Sequence, residues 1–262
     1  MNYTLLTSKS NEKLKRIRKL EDRKQRHREK LFVFEGAHLL EEYVRAGYTP
    51  AEIFVCDDAV EKYGQLIESS GCSDVFVLPR DVYKTVSSEQ APQGILSLCR
   101  ITNQEEAEQT SLVGSLLLES VRDAGNLGTI IRTAASLGID KIFISEDCAD
   151  LYNSKTVRAT MGALFFSDIT VVPDLCVVVN DIKAKGGRVF ATLPAEGAKV
   201  LGEFELFQTD SFAIGNEGSG LSERLISACT DSAVIPMSGR TESLNAAAAA
   251  TVFLWEMAKA KK

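Results

Sequence analysis

IGNEGSGLSE, residues 214–223, and IPMSGRTESLNAAAAA, residues 235–250, decide how this chain is read. In each, an apolar run of strand character stops at a loop of glycine or small polar residues. The second loop feeds an alanine-rich helix running from about Ser243 to Ala260 and carrying Trp255. Two strand exits so close together are where an α/β protein builds a ligand site, because ligands bind in the crevice beyond the carboxyl ends of parallel strands.

Upstream of these loops the same grammar repeats. GSLLLE, KIFIS, FFSDITVV and RVFATL join SFAIG and AVIPM as apolar runs. Near-continuous apolar runs suit strands covered on both faces, so the segment predicts roughly six parallel strands in an open twisted sheet. Helical segments lie between them. One follows VRDAGN, with Asn126 as its cap and Gly138 as its stop; NSKTVRATMGAL is a second; a third covers about 174–185 and ends at Gly186 and Gly187. Toward the N-terminus, residues 9–28 read as a helix with Leu14, Ile17 and Leu20 on a narrow apolar stripe. The strands LFVFEG, AEIFVC, DVFVLP and GILSLCRI then alternate with AHLLEEYVRAG, a helix over about 58–69 and a short one opened by Pro79. NQEEAEQTS, polar and acidic, contains no large apolar residue. It divides the chain into residues 1–102, a linker over 103–111 and residues 112–262.

A hydrophobic content of 45% supplies ample core. No apolar run reaches the roughly 18 residues of a membrane span, and MNYTLLTSKSNEKLK has no apolar leader core, so a cytoplasmic protein with no membrane partner is expected. Six scattered cysteines without CxxC spacing, beside only His27 and His38, give no metal site and imply buried, reduced thiols. The net charge of −6 hides an asymmetry: residues 1–30 hold 11 Lys/Arg against 4 Asp/Glu, and the rest of the chain is acidic. Either the N-terminal helix is a solvated basic face or it grips a polyanion; Lys9, Lys13, Arg16 and Arg23 belong to that segment.

The loops narrow the chemistry. Gly215, Gly218 and Gly220 run in the wrong order for a dinucleotide fingerprint, and the loop comes late in the chain. Gly215, Gly220 and Ser222 have P-loop spacing, but Leu221 stands where the phosphate-binding lysine must be, which excludes nucleoside-triphosphate binding of that kind. Close approach of a ligand to backbone survives, and Glu217 disfavours phosphate. Thr241, Ser243 and Asn245 place polar groups at a helix mouth, by themselves compatible with simple capping. Arg132, among Ile130, Ile131 and Ala134, either meets an internal carboxylate or faces a ligand. Arg158 is either a phosphate clamp or one half of a surface ion pair.

RDAGNLGTIIRTA, IGNEGSGLSE and IPMSGRTESLNAAAAA, in that order, resemble the three signature motifs of the SpoU (TrmH-like) branch of the SPOUT methyltransferases; NSKTVRATMGALFF also resembles that family. The one departure is Ala124, where the family often has proline. The likeness covers residues 112–262, and the first 100 residues resemble the small αβα RNA-binding domain of its ribosomal-RNA members. It implies a SPOUT-type parallel sheet with a C-terminal trefoil knot and a homodimer. It also implies transfer of methyl from S-adenosyl-L-methionine to a ribose 2′-hydroxyl in RNA, with ribosomal RNA favoured over transfer RNA. By the same resemblance the cofactor is held by Thr192, Leu193, Gly215, Asn216, Glu217, Ile235, Pro236, Met237, Leu244, Asn245 and Ala248. Asn126, Arg132, Glu217, Ser243 and Asn245 match catalytic positions. With RNA as substrate, Lys9, Lys13, Arg16, Arg23 and Arg158 become candidate phosphate contacts. An NAD- or nucleotide-dependent enzyme, or an RNA-binding protein that kept the fold without catalysis, are the competing readings.

Overall fold

The computed structural model describes residues 3–101, 112–238, 240 and 243–260. The chain divides into two compact units, Met1–Asn103 with Asp150–Phe165, and Gln104–Ala149 with Phe166–Lys262. The expected linker at 103–111 lies outside the described residues.

The first unit opens with strand β1 (Tyr3–Leu5), helices α1 (Glu12–Lys19) and α2 (Arg23–Glu29), strand β2 (Leu31–Glu35), and helix α3 (Ala37–Arg45). It continues through β3 (Glu52–Cys56), α4 (Val60–Ser69), β4 (Val75–Leu78), α5 (Arg80–Tyr83) and β5 (Ile95–Arg100). The single helix expected over 9–28 is two. Asp22 accepts a hydrogen bond from the Gln25 N–H and starts a second helix, so the chain turns after Leu20. Its five strands lie in the order β1-β4-β3-β5-β2, with β5 antiparallel to both neighbours and the other pairs parallel.

The second unit begins with β6 (Leu116–Leu118), α6 (Ala124–Ser136) and β7 (Lys141–Ser145). The chain then contributes residues 150–165, including α7 (Ser154–Thr160), to the first unit, where Tyr152 and Phe165 join Phe32, Phe34 and Tyr43 in an aromatic cluster with centroids 4.8 Å apart for Phe32–Tyr152 and 5.6 Å for Phe34–Phe165. It returns with β8 (Asp168–Val172), α8 (Leu175–Ala184), β9 (Val189–Thr192), β10 (Lys199–Val200), β11 (Ser211–Ile214), α9 (Glu223–Ala228), β12 (Asp231–Val234) and α10 (Ala246–Ala260).

All seven strands of this sheet are parallel, in the order β10-β12-β9-β11-β6-β7-β8. The six expected strands are there; β10, only two residues long, is additional. Alternation along each strand sorts the side chains between two faces. Ala213 and Ala191 pack with Val179 and Ile182 of α8 and Leu225 of α9, whereas Phe212 packs at a tilt against Phe253 of α10, centroids 5.0 Å apart. Helices α8 and α9 therefore cover one side of the sheet and α10 the other. This aligns the carboxyl ends of β12, β9, β11 and β6 along one edge, where the motifs lie.

Candidate active site

Three adjacent strands, β12, β9 and β11, end in loops that enclose a pocket of about 340 Å³ within the second unit. That is the lower end of the range for small-molecule sites. Its wall includes Thr192 and Leu193 at the end of β9, residues 214–220 from the end of β11 onward, Ile235 and Met237 after β12, and Ser243 and Leu244 before α10. Pro236, Asn245 and Ala248 do not line it and are exposed. Pro236 falls between two residues that do. Ala248 is off the helical stripe Ala246, Ala249 and Phe253, which forms the pocket's α10 wall. That stripe was legible in the 3- and 4-residue spacing. Gly218, Ser219 and Gly220 in the β11 loop, and Ala233 and Val234 in β12, also line the pocket beyond the expected set and sit beside residues that were in it; Pro194 carried no signal beyond following Leu193.

The floor of the β11 loop depends on Gly215. A Cβ there would lie 2.3 Å from the Gly220 carbonyl carbon and 2.5 Å from the Leu221 nitrogen. The two limbs of the loop touch backbone to backbone, closed by Asn216 N–H to Gly220 O (3.1 Å) and Gly220 N–H to Asn216 O (2.9 Å). The Asn216 side chain spans this loop: its Oδ1 accepts from the Gly218 and Ser219 N–H groups, and its Nδ2 donates to the Ser120 carbonyl at 2.9 Å.

At the rim, three motif residues form a relay. Asn245 Nδ2 donates to Asn126 Oδ1 at 3.1 Å, and Asn126 Nδ2 donates to the Glu217 carboxylate. A carboxylate only accepts, so Glu217 fixes which way the Asn126 amide points. Asn245 meanwhile caps α10, its Oδ1 accepting from the Ala247 N–H at 2.9 Å. The cap of α6 is Asp123, accepting from the Asn126 N–H at 2.8 Å; Asn126 sits inside the first turn rather than capping the helix. Its side chain is thereby released to the relay.

Beneath the rim, Ser120 holds a left-handed backbone (φ 55°), uncommon for a non-glycine residue. Its N–H donates to Ser145 Oγ at 2.9 Å and its hydroxyl to Asp147. Hydrogen bonds from Ser120 and Ser145, then from Arg122, hold the Asp147 carboxyl down at about 2.

Arg132 is not on this pocket. It is exposed on α6, and its guanidinium has no acidic partner among the described residues. It lines a separate groove of about 530 Å³ between α6 and α10, with Thr129, Thr133, Val252 and Trp255; Trp255 is 55% exposed.

The candidate RNA contacts lie in the first unit. Lys9 pairs with Asp81 at 2.8 Å, Lys13 with Glu52 at 2.7 Å, and Arg16 with Glu29 at 2.7 Å. Arg158 pairs with Glu89, and Arg23 is exposed. Arg26 is a residue the sequence did not single out. It is 3% exposed and bound to Asp150 at 2.5 Å and to the Leu20 and Glu21 carbonyls. Nothing in its basic surroundings distinguished it. All six cysteines are free thiols, and five are buried. Among the described residues no helix is long and apolar enough to cross a membrane.

Against known proteins, residues 115–255 match the SpoU rRNA Methylase family and residues 11–97 match the MRM3-like substrate binding domain. The chain is 32% identical to the 23S rRNA (guanosine(2553)-2′-O)-methyltransferase RlmP of Bacillus subtilis (strain 168), over 96% of this chain and 98% of that one. It is 34% identical to the 23S rRNA (uridine(2479)-2′-O)-methyltransferase of Streptomyces viridochromogenes, over 54% of this chain and 50% of that one. A solved structure of an AdoMet-bound rRNA methyltransferase from Sinorhizobium meliloti is similar throughout, with a TM-score of 0.83, 29% identity and 98% of each chain covered.

Proposed function

This chain belongs to the SpoU rRNA methylase family, and from that membership and the pocket at its strand ends we propose that it methylates a ribose 2′-hydroxyl of ribosomal RNA, with S-adenosylmethionine as donor. The observation that carries the reading is the relay Asn245–Asn126–Glu217 on the rim of a pocket whose described wall has no lysine or arginine. Such a wall does not suit a phosphate. It does suit a ligand with a flat ring, an apolar arm and a cationic sulfonium: the glycine floor leaves backbone bare, Leu193, Ile235, Leu244 and Phe253 supply apolar contact, and Glu217 supplies negative charge. The two relatives above act on guanosine and on uridine, which leaves the target base unassigned but favours 23S rRNA over transfer RNA.

When bound, S-adenosylmethionine supplies an electrophilic methyl group. The chain's part is alignment, the largest aid to an in-line displacement. Asn126, held by Glu217 and Asn245, orients polar atoms of the ribose at the rim, and Ser243 borders the same opening. A guanidinium is a poor base and Arg132 stands off this pocket, so in this reading it acts on the nucleophile at the pocket of a second copy, by polarising it or by engaging the adjacent phosphate, not by taking its proton outright.

Arg132 stands on the α6–α10 groove, and this bears on assembly. The apolar part of that face, with Val252 and Trp255 exposed, supports a homodimer in which a second copy covers it. The trefoil knot belongs to the same reading. It is supported by β12 lying beyond β9 in the sheet while α10 returns to pack on β11 and α6. Residues 1–102 would bind RNA and residues 112–262 would carry catalysis in the cytoplasm; the substrate-binding match over 11–97 supports that division. Transfer of labelled methyl into ribosomal RNA by the wild type, and its loss in Arg132→Ala, is the expected result. Equal incorporation by the two proteins would remove Arg132 from the mechanism, and no incorporation by the wild type would end the reading.

A further inference from the structure

We propose that Glu119, which lies outside the pocket wall, is a positioning residue that sets the donor-binding loop in place; the inference rests on the pocket being the S-adenosylmethionine site. Glu119 follows β6, and its N–H continues the ladder to the Ile214 carbonyl at 2.9 Å. Its carboxylate reaches across 103 positions of sequence to Ser222. One oxygen accepts the Ser222 N–H at 2.6 Å and the other the Ser222 hydroxyl at 2.8 Å. Ser222 ends the glycine loop and caps α9, its Oγ accepting from the Leu225 N–H at 3.2 Å.

The next residue secures the loop's other end. The Ser120 carbonyl accepts from Asn216 Nδ2, and the left-handed Ser120 backbone that aims it is pinned by Ser145 and Asp147. Two consecutive residues after β6 therefore grip residues 216 and 222, the two limbs of the loop that forms one side of the pocket. Six residues after Ser120, α6 presents Asn126 to Glu217 in the same loop. The connection from β6 to α6 thus fixes the donor's wall and the ribose-orienting amide in a single frame. A cap on α9 could have come from Ser222 alone. A bidentate carboxylate from a neighbouring strand instead fixes where the loop stands relative to that frame.

The geometry separates Glu119 variants. In Glu119→Gln the amide oxygen accepts the Ser222 N–H and the NH2 donates to Ser222 Oγ, which still has a lone pair for it. In Glu119→Asp the acid is retained, but one methylene of reach is lost. In Glu119→Ala both bonds go.

The test is calorimetric titration of S-adenosylmethionine into the full-length proteins well below their melting temperatures. Steady-state methylation of a 23S rRNA transcript accompanies it, varying each substrate in turn. Expected for Glu119→Ala and Glu119→Asp are S-adenosylmethionine Kd and KM values about tenfold higher, with KM for RNA unchanged. Glu119→Gln should recover most of the loss, and Ser222→Ala, which keeps the N–H bond, should fall between. Glu119→Asp matching Glu119→Gln, an unchanged Kd in Glu119→Ala, or both KM values rising together would overturn the positioning role. If Glu119→Ala fails to fold, the Gln–Asp comparison decides alone. A wild type that does not bind S-adenosylmethionine overturns the underlying reading instead, and the inference falls with it.

Discussion

Gly215→Ala tests the loop most directly, because the obstacle is backbone. The added Cβ would stand 2.3 Å from Gly220 C, 2.4 Å from Gly220 O and 2.5 Å from Leu221 N. Ordinary contact between carbon atoms begins near ~3.5 Å, so one limb of the loop must move by about 1 Å. No side chain can rotate away to spare it. The movement breaks the paired bonds between Asn216 and Gly220, worth about 1 kcal/mol net each, and adds about 1–3 kcal/mol of overpacking. The expected loss is about 3–5 kcal/mol. A displacement of that size at a binding wall is expected to weaken S-adenosylmethionine by roughly a hundredfold. Trp255, the only tryptophan, lies on α10 in the same unit, so its fluorescence during urea unfolding reports the stability, and calorimetry reports the affinity. Two neighbours calibrate the result. Gly218→Ala meets only Asn216 Oδ1 at 3.5 Å and should change stability by less than about 0.5 kcal/mol. Gly220→Ala enters open space but at φ 68°, which costs about 1 kcal/mol. If Gly215→Ala unfolds and binds like Gly218→Ala, the tight loop is wrong.

Asp147, its pKa depressed to about 2, stabilises the fold fully above the unfolded carboxylate value of about 3.9 and loses that contribution as pH falls through about 2. Because its side chain is 47% exposed, solvent screening reduces the effect to about 1 kcal/mol; Asp147→Asn should remove it at pH 7, and a carboxyl carbon titrating near 4 by NMR would refute the assignment. In the first unit, Asp150→Ala leaves the Arg26 guanidinium buried with only the Leu20 and Glu21 carbonyls. It should cost about 3 kcal/mol and raise hydrogen exchange over residues 150–165; unchanged exchange would mean the pair does not hold that segment.

What the sequence disclosed follows from what burial does to it. Strands covered on both faces leave dense apolar runs, so SLLL, KIFIS and SFAI are legible without any neighbour. β10 has two residues and β1 three exposed ones, too few for a period to form. The N-terminal helix breaks at Asp22, a capping residue in plain view but set in a charged run that continues the helix only if charge is read as solvated face. Asp123 and Asn126 are both good caps three positions apart, and local chemistry could not choose between them. The choice is made by Glu217, 91 residues away. Residues 150–165 present the same limit more severely: their aromatic contacts to Phe32 and Phe34 are tertiary, and no local pattern assigns Tyr152 and Phe165 to the first unit.

The basic N-terminus shows why counting charges is a weaker guide than placing them. Residues 1–30 carry a formal excess of cations, yet Lys9, Lys13 and Arg16 each have an acidic partner. Pairing does not disqualify a lysine from meeting phosphate, since an exposed ion pair is worth only about 0–1 kcal/mol and a polyanion also gains by releasing counterions. What matters is the partner's own setting. Lys9 and Asp81 are both more than half exposed, so a phosphate can replace Asp81 at little cost. Glu52 is 13% exposed and Lys13 also lies 4.5 Å over the Phe76 ring; drawing Lys13 away strands a largely buried carboxylate and uncovers an aromatic face. Lys9 is therefore available to RNA in a way that Lys13 is not, although the two are indistinguishable in the sequence. The cationic surface of the first unit should be drawn from residues whose partners are solvated, not from the whole of its basic count.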